Sequence, residues 1–362
     1  MERVFETHAH YLFAVPIGET IRIFRDELKE TGAEKVNFLS IPKEYNSDGS
    51  VKLDLTQNVK GLYLKRAFSP NGYAMAGLVH PDDHSDTDAV SKDFLKQIET
   101  YRAAGFDGMK MLEGYPTFIK YTGVPLDSPI FDRFYSFAEE NAIPITMHIA
   151  NPDDNWDITK ASRYAVAAGR VYDNSFPSKK EITEQAFRAL DKHPKLRLTL
   201  AHFGFFSRDI TQAERFLGQY ENTMLDITPG GEQLLYMGKE WEKWLPFFET
   251  YSDRILYGTD FYAFPRRDEE SWRTAFTRRP FFVRNFFETD GGHLYLETPF
   301  RGVLLDRALR EKIYWGNAMR FFGEPRPVSE AYLRDECSRL AGAVTDALQL
   351  ADLETMRNGL RK

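Results

Sequence analysis

Short apolar, β-branched runs alternate with longer amphipathic stretches along this chain, the pattern of successive βα units around a parallel sheet. Eight runs read as buried strands: Arg3–Tyr11, Lys35–Ile41, Tyr73–His80, Gly108–Leu112, Pro144–Ile149, Arg197–Phe203, Thr223–Thr228 and Arg254–Phe261. Helical spacing fills the intervals. Glu19–Thr31 carries Ile23, Phe24 and Leu28 before Gly32, and Ser91–Ala104 carries Phe94, Leu95, Ile98 and Tyr101 before Gly105. Ser128-Pro129 opens another helix, with proline in its first turn. Eight units without a break predict an α/β fold, a closed (β/α)8 TIM barrel, over residues 1–323.

Two connections are long. One runs from Ile149 to Leu196, the other from Tyr262 to Thr298 after the eighth strand, the latter dense in Phe, Trp and Arg. Loops that follow strands lie on the catalytic face of such a barrel, so both are candidate walls of a pocket. For most of those Phe residues an aromatic packing skirt or a homodimer interface is the plainer reading. Residues 324–362 read as a helical extension packed on the barrel rather than a second domain. Within it, Glu330–Leu350 has apolar spacing at Leu333, Leu340, Val344 and Leu348.

Composition narrows the partners. The 362 residues hold 47 Lys and Arg against 54 Asp and Glu, a formal charge of −7, so nothing pulls the whole chain toward nucleic acid or an anionic membrane. The single cysteine, Cys337, leaves no internal disulfide framework and fits a reducing compartment. With no apolar leader ahead of the first strand, a cytoplasmic location is expected. The expected partner is a small-molecule substrate.

The candidate chemistry sits where strands end. His8 and His10 are two apart on the first strand, so they point the same way and can reach one ion in the barrel mouth. Glu6, a step deeper, reads either as an acceptor that orients a ligand imidazole or as the partner of a buried cation. His148 ends the fifth strand and His202 the sixth. Either can be a satisfied core histidine; at one level on adjacent strands, one can ligate while the other bonds water or a substrate oxygen. Asp260, in Gly258-Thr259-Asp260, is a turn residue or a carboxylate beside a dication. Glu113 is a substrate-binding candidate at the same mouth, and His80 could line it. Asp226 is expected to structure its loop, His84 and His193 read as surface residues, and Arg266 and Arg267 read as solvated loop charges.

Taken in order, five segments resemble the metal-dependent amidohydrolase superfamily, within it the amidohydrolase-2 branch. They are His8-Ala9-His10, Gly105-Phe106-Asp107-Gly108-Met109-Lys110, Ile145-Thr146-Met147-His148, Leu200-Ala201-His202-Phe203-Gly204 and Ile255-Leu256-Tyr257-Gly258-Thr259-Asp260. Lys312-Ile313-Tyr314-Trp315-Gly316-Asn317-Ala318 is similar to that branch's last-helix signature, and the resemblance spans about residues 3–322. It implies that His8, His10, His148 and Asp260 surround one divalent ion, usually zinc, with manganese the other candidate here and His202 as catalytic neighbour or further ligand. Lys110 would bind an anionic substrate, or, if carboxylated, bridge a second ion.

The leading expectation is a zinc-dependent hydrolase of an amide, lactone or related carbonyl, with Asp260 exchanging the proton and His202 steadying the oxyanion. The alternative is a lyase, a non-oxidative decarboxylase or hydratase of a small carboxylate on the same ligands. A non-catalytic binding barrel is the third reading, and the full ligand set speaks against it.

Overall fold

The computed structural model describes residues 2–11, 14–229, 233–263, 279–295 and 298–360. Eight predicted strand regions form one all-parallel curled sheet. Its strands are β1 (Val4–Tyr11), β2 (Ala33–Leu39), β3 (Gly72–Gly77), β4 (Gly108–Gly114), β5 (Ile145–Ile149), β6 (Leu198–Leu200), β7 (Thr223–Asp226), β8 (Ile255–Leu256) and β9 (Phe261–Ala263). The spatial order runs from β8 through β7 down to β1 and then β9. The predicted eighth strand is thus split: Ile255–Leu256 pairs with β7, and Phe261–Ala263 pairs with β1. Between the two pieces Tyr257 O accepts from Thr7 N at 3.3 Å and from Thr7 Oγ1 at 2.6 Å, which closes the barrel.

Phe5, Leu39, Tyr73, Met75, Met224 and Leu256 fill the barrel interior, with Phe321 and Phe322 against them from below. That plug explains the last-helix motif. Asn317 Nδ2 donates to Ser252 O and Ile255 O, both at 2.7 Å, and Ile313 O accepts from Tyr257 N at 3.0 Å, so the motif pins the eighth strand from beneath. With the floor packed solid, polar chemistry is left to the opposite end.

Three local expectations differ from what is found. The sixth strand stops at Leu200, because Ala201–Phe205 turns tightly with His202, Phe203 and Phe205 at φ of 53, 56 and 56°. Two antiparallel hairpins, Lys43–Tyr45 with Val51–Leu53 and Gly292–Tyr295 with Thr298–Arg301, were not read from the sequence; their strands are three or four residues long. The terminal helix is two helices, Glu330–Ala341 and Ala347–Gly359. Asp346 caps the second by accepting from Gln349 N, a restart signal lying inside the apolar spacing.

Asp352 anchors that last helix. Its Oδ1 accepts from Ile17 N at 2.8 Å and its Oδ2 lies 2.9 Å from Lys60 Nζ, both side chains being buried. Removing Asp352 leaves the buried Lys60 ammonium to the more distant Asp54 Oδ2 at 3.8 Å, so Asp352→Ala is expected to lower the unfolding free energy by roughly 3 kcal/mol in urea titration. A change within error would mean that the extension is not held by this pair.

Candidate metal and active site

The mouth is assembled from strand ends, each bent away from regular geometry. β1 carries one extra residue against β2 between Glu6 and Ala9, a bulge at Thr7-His8. Glu6 therefore turns to the backbone rather than to an imidazole. Its Oε1 accepts from His8 N at 2.9 Å and Thr259 N at 3.0 Å, and its Oε2 accepts from Thr259 Oγ1 at 2.6 Å. Burial, eased by the Thr259 bond, pushes its carboxyl up to about 7. Gly258 permits the closeness: a Cβ there would lie 2.6 Å from Thr228 Cγ2 and 3.0 Å from His8 Cβ.

His8, His10 and Asp260 are brought together, with one donor atom from each within 4.8 Å of the others. His10 Nδ1 faces Leu39 O at 3.0 Å, and since a carbonyl only accepts, that nitrogen carries the proton. His8 Nδ1 faces Asp226 Oδ2 at 2.8 Å. With Asp226 ionised, both Nε2 atoms are bare, and they stand 3.1 Å apart. Asp260 Oδ1 lies 3.7 Å from one and 3.6 Å from the other, buried with no hydrogen-bond donor among the described residues. Three acceptor atoms converge on one point with no donor among the described residues, and the set of two imidazoles and a carboxylate fits a divalent transition metal.

His202 and His148 extend the cluster as a row of rings. The ring centroids of His8 and His202 are 5.1 Å apart, and those of His202 and His148 4.8 Å. His148 Nε2 donates to Ala150 O at 3.1 Å, so only its Nδ1 can accept, and it lies outside the three-residue group. His202 Nδ1 pairs with Thr228 Oγ1 at 3.1 Å. Burial, first among the causes, holds all four imidazoles well below the ordinary histidine range, so they are neutral and able to ligate.

Asp226 does more than structure its loop. Beyond His8, its Oδ1 accepts from His202 N at 2.7 Å and from the Thr228 hydroxyl, so one carboxylate fixes the tautomer of one histidine and the backbone of another. Burial pushes it up to about 6. Asp260 is likewise pushed up to about 6 by burial, against the pull of Arg279, whose Nη1 donates at 2.7 Å both to Asp260 Oδ2 and to its backbone O. Arg279 went unread in the sequence. It lies 19 residues beyond Asp260 in the second long connection, in no motif; only the arginine density of that stretch hints at it.

Lys110 is fully buried at the centre. Its ammonium is lowered to about 8 by burial, opposed by the charges of Asp226, Asp260 and Glu113. Glu113 sits on a second bulge, at Leu112-Glu113 in β4, and is turned toward β3. There its Oε1 pairs with His80 Nε2 at 2.8 Å, while Oε2 is buried without a hydrogen-bond donor among the described residues. His80 Nδ1 contacts His84 Nε2 at 3.0 Å, so His84 is half-buried rather than a surface group. His193, also expected at the surface, is buried against Tyr135. Arg266 and Arg267 lie outside the described residues.

These features agree with the comparisons. The family model described as Amidohydrolase (Amidohydro_2) matches residues 66–323, and the chain belongs to that family, which is metal-dependent. His8 and His10 precede the matched span, and the fold places them at the same mouth. No curated protein matches the sequence. Among solved structures, a 2,6-dihydroxybenzoate decarboxylase from Rhizobium is 15% identical with a TM-score of 0.53, covering 89% of this chain and 99% of its own. A 4-oxalomesaconate hydratase from Rhodopseudomonas palustris is 12% identical at 0.53, covering 94% and 99%. A dihydroxybenzoic acid decarboxylase from a Polaromonas species, solved with bound manganese and 2-nitroresorcinol, is 14% identical at 0.50, covering 89% and 97%. At these identities the likeness establishes the shared barrel.

Two outcomes follow from the geometry. Asp226→Asn removes the acceptor that fixes His8, and metal affinity measured by competition with a chelator should weaken about 10- to 100-fold while circular dichroism is unchanged. Protons compete with metal at Asp260 because its carboxyl is raised to about 6, whereas the lowered histidines do not compete. Apparent metal affinity should therefore climb as pH rises toward 6 and level off above it; a climb centred near 7, in the ordinary histidine range, would contradict this assignment.

Proposed function

We propose that the protein is a divalent-metal-dependent lyase that releases carbon dioxide from a small aromatic or enol carboxylate. Support comes chiefly from the Arg279–Asp260 ion pair at 2.7 Å. A hydrolase would need Asp260 to take a proton from water, and the guanidinium on its Oδ2 works against the rise in proton affinity that burial gives it. A lyase needs the reverse, an acid that gives its proton to carbon. Burial keeps Asp260 up at about 6, so it holds a proton in mildly acidic solution, and Arg279 eases the departure of that proton.

His8, His10 and Asp260 would hold the metal, with His148 and His202 beside them and zinc the favoured ion. When bound, the ion supplies Lewis acidity to substrate oxygens. The chain's own cations do the rest. Lys110, Arg170 and Arg279 all act on the buried Asp260. Clamping the departing carboxylate itself would stabilise the ground state, so these cations serve the charge that develops on the substrate's oxygen as the carbon–carbon bond breaks. The bond's electrons pass to the ring or enol carbon, carbon dioxide leaves, and one proton, taken up from solvent by Asp260, goes to that carbon.

Aromatic and enol carboxylates screened for carbon dioxide, beside amides and lactones screened for hydrolysis, give the direct test. Hydrolysis with no carbon dioxide from any acid would replace this reading with the hydrolase. On the substrate so found, Arg279→Gln should lower kcat about 100-fold or more, as loss of a positioned charge at the reacting centre does. Elemental analysis should find one equivalent of zinc per chain. Manganese instead would correct only the ion, and two equivalents would mean that Lys110 is carboxylated.

A further inference from the structure

At the opposite end of the barrel, beneath the first residues of β4 and β5, lies a cavity of about 200 Å³. Its walls include Gly108 at the foot of β4, Pro144 just ahead of β5, and the strap Phe322–Arg326 that leads to the C-terminal helices. Three arginines line it, Arg102, Arg197 and Arg326. They come from three places: the last turn of the helix Thr87–Ala104, the residue preceding β6, and the strap.

What sets these arginines apart is what they lack. Elsewhere guanidinium groups meet carboxylates, as in Arg133–Asp88 at 2.8 Å, Arg188–Asp127 at 2.6 Å and Arg215–Glu184 at 2.8 Å. Among the described residues no carboxylate lies within ion-pairing reach of Arg102, Arg197 or Arg326. The charge acting on Arg102 is that of Arg326, a repulsion that adds to the effect of burial in lowering Arg102. Arg197 is held by carbonyls alone: it donates to Ala142 O at 3.2 Å, Arg320 O at 3.3 Å and Phe321 O, and lies over the Phe321 ring. It is oriented without being neutralised.

Two acidic residues share the lining, and neither cancels the charge. Asp107 is spent on Lys65, whose Nζ is 2.7 Å from each of its oxygens, and on the backbone N–H groups of Arg326 at 2.8 Å and Ala74 at 2.9 Å. Glu324 is exposed on the strap, as Arg326 is, while Arg102 and Arg197 are half-buried. Three guanidinium groups against one solvated carboxylate leave the cavity positive in a chain whose formal charge is −7.

We propose that this cavity is a binding site for a small polyanion, a phosphate ester or a polycarboxylate, remote from the metal site. Guanidinium forks match oxyanions in geometry as well as charge, and the volume exceeds that of a few waters, enough for more than a bare ion. An anion here ties the feet of β4 and β5 to the strap, so occupancy stabilises the fold by mass action.

The test uses the full chain. Thermal unfolding is followed with inorganic phosphate, with glycerol phosphate and with citrate, each against chloride at matched ionic strength. The expected result is a rise in Tm that is lost in Arg102→Ala/Arg326→Ala, with calorimetry giving about tenfold or weaker binding to that variant. Arg102→Gln, which keeps the bulk of the side chain, guards against a misfolded double variant and should weaken binding in the same direction. Stabilisation by glycerol phosphate names the ester as ligand class, and by citrate the polycarboxylate. No rise in the wild-type chain with any of the three would reduce the arginines to solvated charges. An equal rise in wild type and both variants would place the anion elsewhere, and either result overturns the proposal.

Discussion

With Asp226 ionised, two imidazole nitrogens with no proton between them face each other at 3.1 Å in a buried site, an arrangement that a cation beside them would stabilise. Their outer nitrogens are committed from behind, one to Leu39 O and the other to Asp226. The inner lone pairs are therefore the only face His8 and His10 can offer. Asp260 Oδ1 adds a third acceptor to the same point. Each neighbour of the cluster can be understood as placing or balancing that concentration of electron pairs. Asp226 fixes a tautomer, Glu6 fixes the bulge, Gly258 allows the approach, and Arg279 occupies the oxygen that faces away from the histidines.

Such convergence costs backbone strain, and most of it among the described residues lies here, Ala142 and Leu304 being the two other left-handed residues with a Cβ. Ala150, His202, Phe203, Phe205 and Asp260 all have φ between 49 and 56°, in the left-handed region that side chains with a Cβ avoid. Each costs of the order of 1 kcal/mol or more and persists only where the surroundings over-determine it. All five fall just past strand ends at the mouth. Asp260 sits between the two halves of the split eighth strand, so a single left-handed residue both breaks the strand and aims its carboxylate inward. The packed floor, with Asn317 gripping Ser252 and Ile255, supplies the rigidity that this end withholds.

How much of this the sequence carried depends on the range of the interaction. Strand ends were legible because alternation and apolar runs are local signals, and the family's motifs tie residues such as His202 and Asp260 to those ends. Glu6 was placed on the ligand face by strict alternation, and one extra residue in β1 sent it to the backbone instead. Glu113 lies on the bulge in β4 and pairs with His80, a contact the sequence did not suggest. Bulges leave no mark in residue type, so period-two reasoning fails at the positions where a barrel re-aims its side chains. Arg279 and the full role of Asp226 were out of reach for another reason. Both act through contacts between elements distant along the chain, and His8 and Asp226 are 218 residues apart. His193 shows the opposite error, since a histidine amid charged neighbours looked solvated and is packed on a tyrosine.

The same charge arithmetic governs both ends of the barrel with opposite outcomes. At the mouth, Lys110 and Arg279 are buried beside Asp226, Asp260 and Glu113, so cations and acids nearly balance before any ligand arrives. A metal dication would tip that balance positive, and the small carboxylate proposed as substrate would restore it, so the two binding events would reinforce each other. At the floor no such internal balance exists, because the one buried carboxylate is already committed to Lys65. A barrel that pairs its charges this closely at one end and leaves guanidinium groups uncompensated at the other has the electrostatic form of two sites. In both the missing partner is negative, but only the mouth needs a metal before that deficit is felt.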